Sequence, residues 1–455
     1  MPRNAFRLLP LSLTTLLVLT ISAGAENISQ GNPAPSSVSS EGTGPVATGG
    51  AATTAVLAGK NGNGPAANGP TAPAATGGSS LGDELTDLKR FFTVTVDVRE
   101  EYDDNIYSVA NGPGKIGSFE EIISPSILFS YPMENSTFDA RYTFNFTYHN
   151  RHLPNQAYDQ DHDVVLRYNH AFSDRFNLDL RDDGGYHIDP SLLSSIGATG
   201  REGGYYSNIF TGEFTAQWTP LFGTVTSYSN NFVTYENSTI GDEQDSEENT
   251  ISQDFRFAFW PTVTFAAGLI YDDIEYLDSP RGFANYTANA GLDWQALPSL
   301  SFGFRVGGSI TEINQGGSSS VSPYASANVN WQLGERSRLI GSYVHTVTPT
   351  DIFFAQGQES DRFTANFLYN ITERITTHFE GIYSHNDIKE EFLTGAGTSN
   401  SSSTEDVLSF DTGVTYHYNQ YLDLEGGYIF SDVSSQFNFE NYTDNQIYLG
   451  IRGTY

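Results

Sequence analysis

Gln446-Ile447-Tyr448-Leu449-Gly450-Ile451-Arg452-Gly453-Thr454-Tyr455 is the stretch whose reading decides the fold. Ile447, Leu449 and Ile451 alternate with Gln446, Tyr448, Gly450 and Arg452, and the sequence ends on an aromatic, Tyr455. Alternation at period two sends the aliphatic side chains to one face of a strand and the polar ones to the other. A terminal strand of this kind needs a partner, and taken alone it would suit a soluble sheet equally well.

The rest of the chain repeats the pattern. Phe92, Val94, Val96 and Val98 alternate with Thr93, Thr95, Asp97 and Arg99. Phe138, Ala140, Tyr142, Phe144 and Phe146 alternate with Asp139, Arg141, Thr143, Asn145 and Thr147, and Phe302, Phe304 and Val306 with Ser301, Gly303 and Arg305. In a soluble sandwich the apolar face would be the core. In a membrane barrel it would face lipid, and the polar face would line the lumen.

The connections separate these two readings. Short turns are expected at 131–135, 172–175, 218–222, 260–263, 297–300, 333–337, 370–374 and 419–421. Longer polar connections lie between them, among them 189–204, 236–248 and 389–403. Short turns alternating with long loops are the habit of membrane barrels, and a soluble all-β protein has no reason for it. The expected fold is all-β: a single transmembrane antiparallel up-and-down β-barrel of about 18 strands over residues 91–455. Trp218, Trp260, Trp294 and Trp331 all fall beside short turns, where an interfacial aromatic belt would lie. By parity Trp218, Trp294 and Trp331 face lipid. Trp260 shares the parity of Asp254 and Arg256, so a bulge intervenes or the ring points inward.

Composition agrees. Aromatic residues make up 13% and Gly 44 positions, and beyond the N-terminus no apolar run is long enough for a spanning helix. With Cys 0, disulfides and thiolate metal sites are excluded. A formal net charge of −32 argues against nucleic acid as a partner and for attraction of cations, or simply for soluble loops.

At the N-terminus, Arg3 and Arg7 precede the apolar run Leu8 to Ile21, and Ala23-Gly24-Ala25 follows. This is the order of a secretory signal peptide, expected over residues 1–25. Residues 26–82 are rich in Gly, Ala, Pro, Ser, Thr and Asn, with too few large apolar side chains to offset ordering entropy, and read as a disordered periplasmic segment. Residues 83–90 could form a short helix with Leu85 and Leu88 on one side.

Two features now bear on family. The last ten residues resemble the C-terminal β-signal of outer-membrane barrels, with Gly453 departing from the usual apolar residue. Tyr102-Asp103-Asp104-Asn105-Ile106, echoed in part by Tyr271-Asp272-Asp273-Ile274, resembles the Y-D-D-N motif of the Putative beta-barrel porin 2 family. The resemblance implies a barrel of the bacterial outer membrane that serves as a diffusion pore and has no catalytic residues. It also implies contact with outer-membrane lipids and the barrel assembly machinery, and some relatives of such barrels are associated with polysaccharide export.

Strand parity puts Asp97, Arg99, Glu101, Asp139, Arg141, Arg167, Asp179, Arg181, Asp254, Arg256, Arg305 and Asp411 on the polar face, as candidate pore-lining residues. Charges of both signs across a pore would order water and select small hydrophilic solutes by charge and size. Asp103, Asp104, Asp159, Asp161 and Asp163 form a candidate acidic rim, and Tyr455 is the candidate assembly residue. Neither the aspartates at 159–163 nor the acids at 242–248 match an EF-hand loop, and both read as solvated acids. His149, His152, His162 and His170 lie near acids, but no G-x-S-x-G or metal-spaced His pair is present, so no enzyme, cofactor or metal is expected. The function expected is a passive, weakly cation-preferring pore; the alternative is a structural or adhesive barrel with a closed lumen.

Overall fold

The computed structural model describes residues 91–154, 156–188, 204–314, 319–350, 355–388, 403–436 and 441–455. The expected signal peptide, low-complexity segment and short helix at 83–90 lie outside the described residues.

The strands are β1 (Phe92–Asp103), β2 (Ser118–Pro132), β3 (Ser136–His149), β4 (Tyr158–Ser173), β5 (Phe176–His187) and β6 (Tyr205–Thr219). Then come β7 (Phe222–Tyr235), β8 (Ser246–Trp260), β9 (Val263–Tyr276), β10 (Gly282–Leu297), β11 (Leu300–Ile313) and β12 (Ser319–Leu333). The last are β13 (Ser337–Thr348), β14 (Gln358–Asn370), β15 (Ile375–Ile388), β16 (Ser403–Asn419), β17 (Leu422–Ser435) and β18 (Tyr442–Thr454). Each pairs antiparallel with its sequence neighbours, and β18 pairs with β1 from Thr95↔Thr454 to Asp103↔Gln446. The 18-stranded sheet therefore closes, and no strand edge is left for lipid to face.

All eight short turns fall where the sequence puts them. One long connection differs: residues 236–248 do not form a simple loop. A short helix, α1 (Ser238–Gln244), occupies most of it, and β8 begins at Ser246, so Glu247 and Glu248 are strand residues. Their partners are Glu275 and Ile274 on β9.

Register sorts the side chains. Phe92, Val94, Val96 and Val98 on β1 stand beside Phe129, Ile127, Pro125 and Ile123 on β2, and Val98 stands beside Ile451 on β18. In a closed wall this continuous apolar face can only be the outer one; Leu449 on it is 72% exposed. Near the turns Phe91, Phe92, Phe129 and Tyr131 pack ring on ring, the start of an aromatic girdle.

The girdle resolves the question of Trp260. The β8–β9 register shifts between Phe257 and Trp260, and the bulge turns the ring outward, 58% exposed. Similar shifts precede the turns after β4, β6, β10 and β16. A bulge re-aims side chains and adds local twist, which helps a strand turn back at the rim of a barrel.

Towards the loops the outer face becomes polar on several strands. Glu100 on β1 faces Glu121 on β2. On β13 and β14, His345 Nδ1 lies 2.9 Å from Asp361 Oδ1, which also accepts a 2.6 Å hydrogen bond from the Tyr343 hydroxyl. On β15 and β16, His385, Asp406 and Tyr383 repeat that arrangement at 2.8 and 2.7 Å. Between Ile375 at the turn and His385 in this ring lie nine residues of β15, about the length that crosses a bilayer. On these strands the spanning segments end there. Strand residues beyond the ring stand clear of the lipid.

Candidate pore wall and outer rim

Residues opposite the apolar face lie on the inner side of the wall. The register puts all twelve pore-lining candidates there: Asp97, Arg99 and Glu101 on β1, Asp139 and Arg141 on β3, Arg167 on β4, Asp179 and Arg181 on β5, Asp254 and Arg256 on β8, Arg305 on β11 and Asp411 on β16.

Many of these charges brace one another. Arg452 on β18 reaches Asp97 on β1 at 3.0 Å and Glu425 on β17 at 2.9 Å, so one guanidinium ties three strands. Arg305 meets Asp293 on β10 at 2.9 Å and Asp254 at 3.8 Å. Arg181 pairs with Asp183 on its own strand, and Arg99 lies 3.6 Å from Glu101 with its guanidinium over the Tyr448 ring. Asp411 is approached by His378 and by the Tyr448 hydroxyl. Such pairs hold long side chains against the wall, because each of these charges has a partner on its own strand or a neighbouring one.

At the loop side the five candidate rim aspartates do not form one open cluster. Asp159, Asp161 and Asp163 point inward from β4, and Asp103 points inward from β1; β2 and β3 lie between. The link between them is His149, 1% exposed at the end of β3. Its Nδ1 lies 2.8 Å from Glu120 on β2 and its Nε2 lies 2.7 Å from Asp159. Burial works against charge on this ring, but the hydrogen bonds with Asp159 and Glu120 outweigh it and push its pKa up to about 9. Asp163 takes a hydrogen bond from Asn145 and lies 3.6 Å from His187, and Asp161 accepts the backbone N–H of Ile188. Asp104, just past β1, pairs with Lys115 at 2.9 Å.

The opposite side of the mouth is apolar. Ile274 on β9, Phe283 on β10 and Ile313 on β11 have inner-face parity, are 3% exposed or less, and pack with Tyr276 and Val347. The connection from β13 to β14 folds over them: the Tyr276 hydroxyl donates to Thr350 O at 2.8 Å, and a Cβ on Gly357 would come within 2.7 Å of the Phe283 ring. Arg281 stacks over Tyr276 at 3.8 Å and completes the fastening. Gly282, with φ +128°, makes the tight entry into β10, since a Cβ there would lie 2.2 Å from Ile274 O.

Sequence reasoning did not single out Glu120, Lys115, Asp444 or the outer His–Asp pairs. The repeated Tyr-x-His at 343–345 and 383–385, each facing an aspartate on the next strand, was the available signal for the last of these.

A closed antiparallel barrel with an apolar outer belt, an aromatic girdle and a charged inner face is an outer-membrane β-barrel, and its place is the bacterial outer membrane. Residues 322–455, from β12 onward, match the family described as Putative beta-barrel porin 2, the family that the Tyr-Asp-Asp-Asn motif pointed to from the other end of the barrel. No curated protein matches the chain. Among solved structures, OpdK of Pseudomonas aeruginosa is similar at 10% identity, with 80% of this chain and 100% of that one covered and a TM-score of 0.43. OccK2 of the same species, in complex with glucuronate, is 11% identical (80% and 96% covered, TM-score 0.42). A BenF-like porin from Pseudomonas fluorescens is 10% identical (80% and 99% covered, TM-score 0.42). Likeness at this level says nothing about cargo.

Proposed function

We propose that the protein is a porin, a passive diffusion pore for small hydrophilic solutes with a weak preference for cations. The observation that carries the reading is the closed wall of 18 strands with a charged inner face. A barrel of that size encloses more space than its side chains readily fill. Arg452, Arg305 and Arg181 are each held by carboxylates, which cancels much of the positive charge locally and leaves the surplus acids to set the sign of the potential. Outer-membrane lipids, the barrel assembly machinery and small solutes are the partners that this reading needs.

A second reading has its own observation. The cluster around Phe283 fills one side of the mouth, which favours a closed lumen in a structural or adhesive barrel, or a barrel that opens only as part of polysaccharide export. Single-channel recording of the folded protein in a planar bilayer separates the two. Steady ohmic conductance with a cation-directed reversal potential in a salt gradient supports the porin, and silence supports the closed barrel. Replacing Asp103, Asp104, Asp159, Asp161 and Asp163 by Asn should move the reversal potential toward neutrality at low salt, and hardly at all at 1 M, where the Debye length is about 3 Å. Anion selectivity in the unaltered protein would overturn the cation preference.

A further inference from the structure

The register stacks four rows of outward-facing side chains across β13, β14 and β15. The row nearest the loops is His345, Asp361 and His385, continued by Asp406 on β16. Directly beneath it stand Tyr343, Phe363 and Tyr383, and beneath these Gly341, Ala365 and Gly381. Leu339, Phe367 and Phe379 make the next row towards the turns. Two bulky ridges therefore flank a row that carries no side chain beyond Cβ. The result is an apolar trough of about 650 Å³ in the outer face of the wall.

Its ends are Val329 on β12, beside Gly341, and Phe410 on β16, beside Gly381. At about 4.8 Å per strand it runs roughly 19 Å, more than the roughly 15 Å of hydrocarbon in one leaflet. The trough also slopes. Val329 lies four residues from the end of β12 at Leu333, and Phe410 lies nine from the end of β16 at Asn419, so the floor rises from β12 towards β16. Its upper end comes beneath His385 and Asp406, whose side chains are 41% and 45% exposed at the level where these strands leave the lipid. Long loops of such barrels are extracellular, so this is the outer leaflet.

Hydrocarbon is what lies against this belt. A flat wall touches an acyl chain on one side and exchanges it freely, whereas a trough touches it on three, and an unfilled trough forfeits those contacts. We propose that the trough holds one acyl chain of an outer-leaflet lipid, a phosphorylated glycolipid, whose head rests on His385 and Asp406. His385 gives Nδ1 to Asp406 and presents the rest of its ring outward to a phosphate, and Asp406 accepts from sugar hydroxyls. The Tyr383 hydroxyl, which donates to Asp406, joins the apolar wall to the polar edge. The site does not depend on whether the lumen conducts.

The test is native mass spectrometry of the full chain, folded in detergent, offered diphosphorylated lipid A and released from its micelle. One lipid should stay bound per barrel and saturate. A365L, which fills the middle of the trough, should lower the bound fraction at least fivefold, whereas A267L, on the lipid face of β9, should leave it unchanged. H385Q keeps the trough and should weaken binding severalfold, which answers the question even if A365L does not fold. Absence of a retained lipid in the unaltered protein, equal retention in A365L or H385Q, equal retention of dimyristoylphosphatidylglycerol, or dimers and trimers of the chain in place of the lipid adduct would each overturn the proposal.

Discussion

Arg452 on the last strand places Nε and Nη2 each 3.0 Å from one carboxylate oxygen of Asp97 on the first strand, so that an ion pair crosses the line where the barrel closes. The same guanidinium reaches Glu425. Replacing Arg452 by Met removes the guanidinium that bridges Asp97 and Glu425 and leaves Arg99 as the cation that acts on both. The pair is partly solvated, so the loss should be about 1 kcal/mol. The urea midpoint of the folded barrel should fall, and the fall should shrink in D97N, where there is less to lose. Equal losses in both backgrounds would show that the pair contributes nothing.

His149 makes the rim sensitive to alkali. Its folded pKa of about 9 lies above the ordinary 6.5, so the stability it contributes is complete below about pH 6.5 and is lost as pH rises through 9. Unfolding midpoints measured from pH 6 to pH 10 should decline across that window. H149Q should be less stable at pH 6, by roughly 3 kcal/mol for a broken buried pair, and should show a flatter profile. Parallel profiles for the two proteins would remove His149 as the cause.

Phe283 is fully buried inside the mouth, under the β13–β14 connection. Truncation to Ala opens a cavity, costs about 3 kcal/mol and loosens the contact with Gly357. If that connection narrows the passage, single-channel conductance of F283A should rise or its current noise should increase. Unchanged conductance with lowered stability would make the cluster purely structural.

Tyr455 exchanges two backbone hydrogen bonds with Val94, each 2.9 Å, at the turn side of the closing line. Its ring is 69% exposed at the level of the aromatic girdle. Removing this residue deletes both bonds and the interfacial ring, and the yield of folded barrel in outer membranes should drop severalfold. Substitution by Phe keeps the backbone bonds and an aromatic, and should restore most of the yield. Full insertion of the deletion variant would refute the assembly role.

Strand number, turn positions and closure were legible because they rest on period-two alternation, turn residues and the place of Trp218, Trp294 and Trp331, all local properties of the chain. The direction of Trp260 was not, since a bulge changes parity without leaving a residue signature. The pairing of His149 was hidden for a different reason. Its partners Glu120 and Asp159 come from two other strands, and only the register brings them together. The apolar side of the mouth was hidden likewise. Ile274, Phe283 and Ile313 have the parity of lumenal residues, and what covers them is a connection from β13, well along the wall.

Seventeen of the strand pairings join neighbours in sequence, and one joins Thr95 to Thr454 across 359 positions. Hairpins can form as each segment arrives, with little loop entropy to overcome, whereas the last pairing waits for the whole chain. Until then β1 and β18 both present unpaired backbone, a state that hydrocarbon does not tolerate. Closure is therefore the slow, late and committing event in the biogenesis of this protein. A lesion along that single line should trap an incompletely assembled intermediate, whereas a lesion of equal thermodynamic cost between two hairpin strands should merely hasten unfolding of the finished barrel.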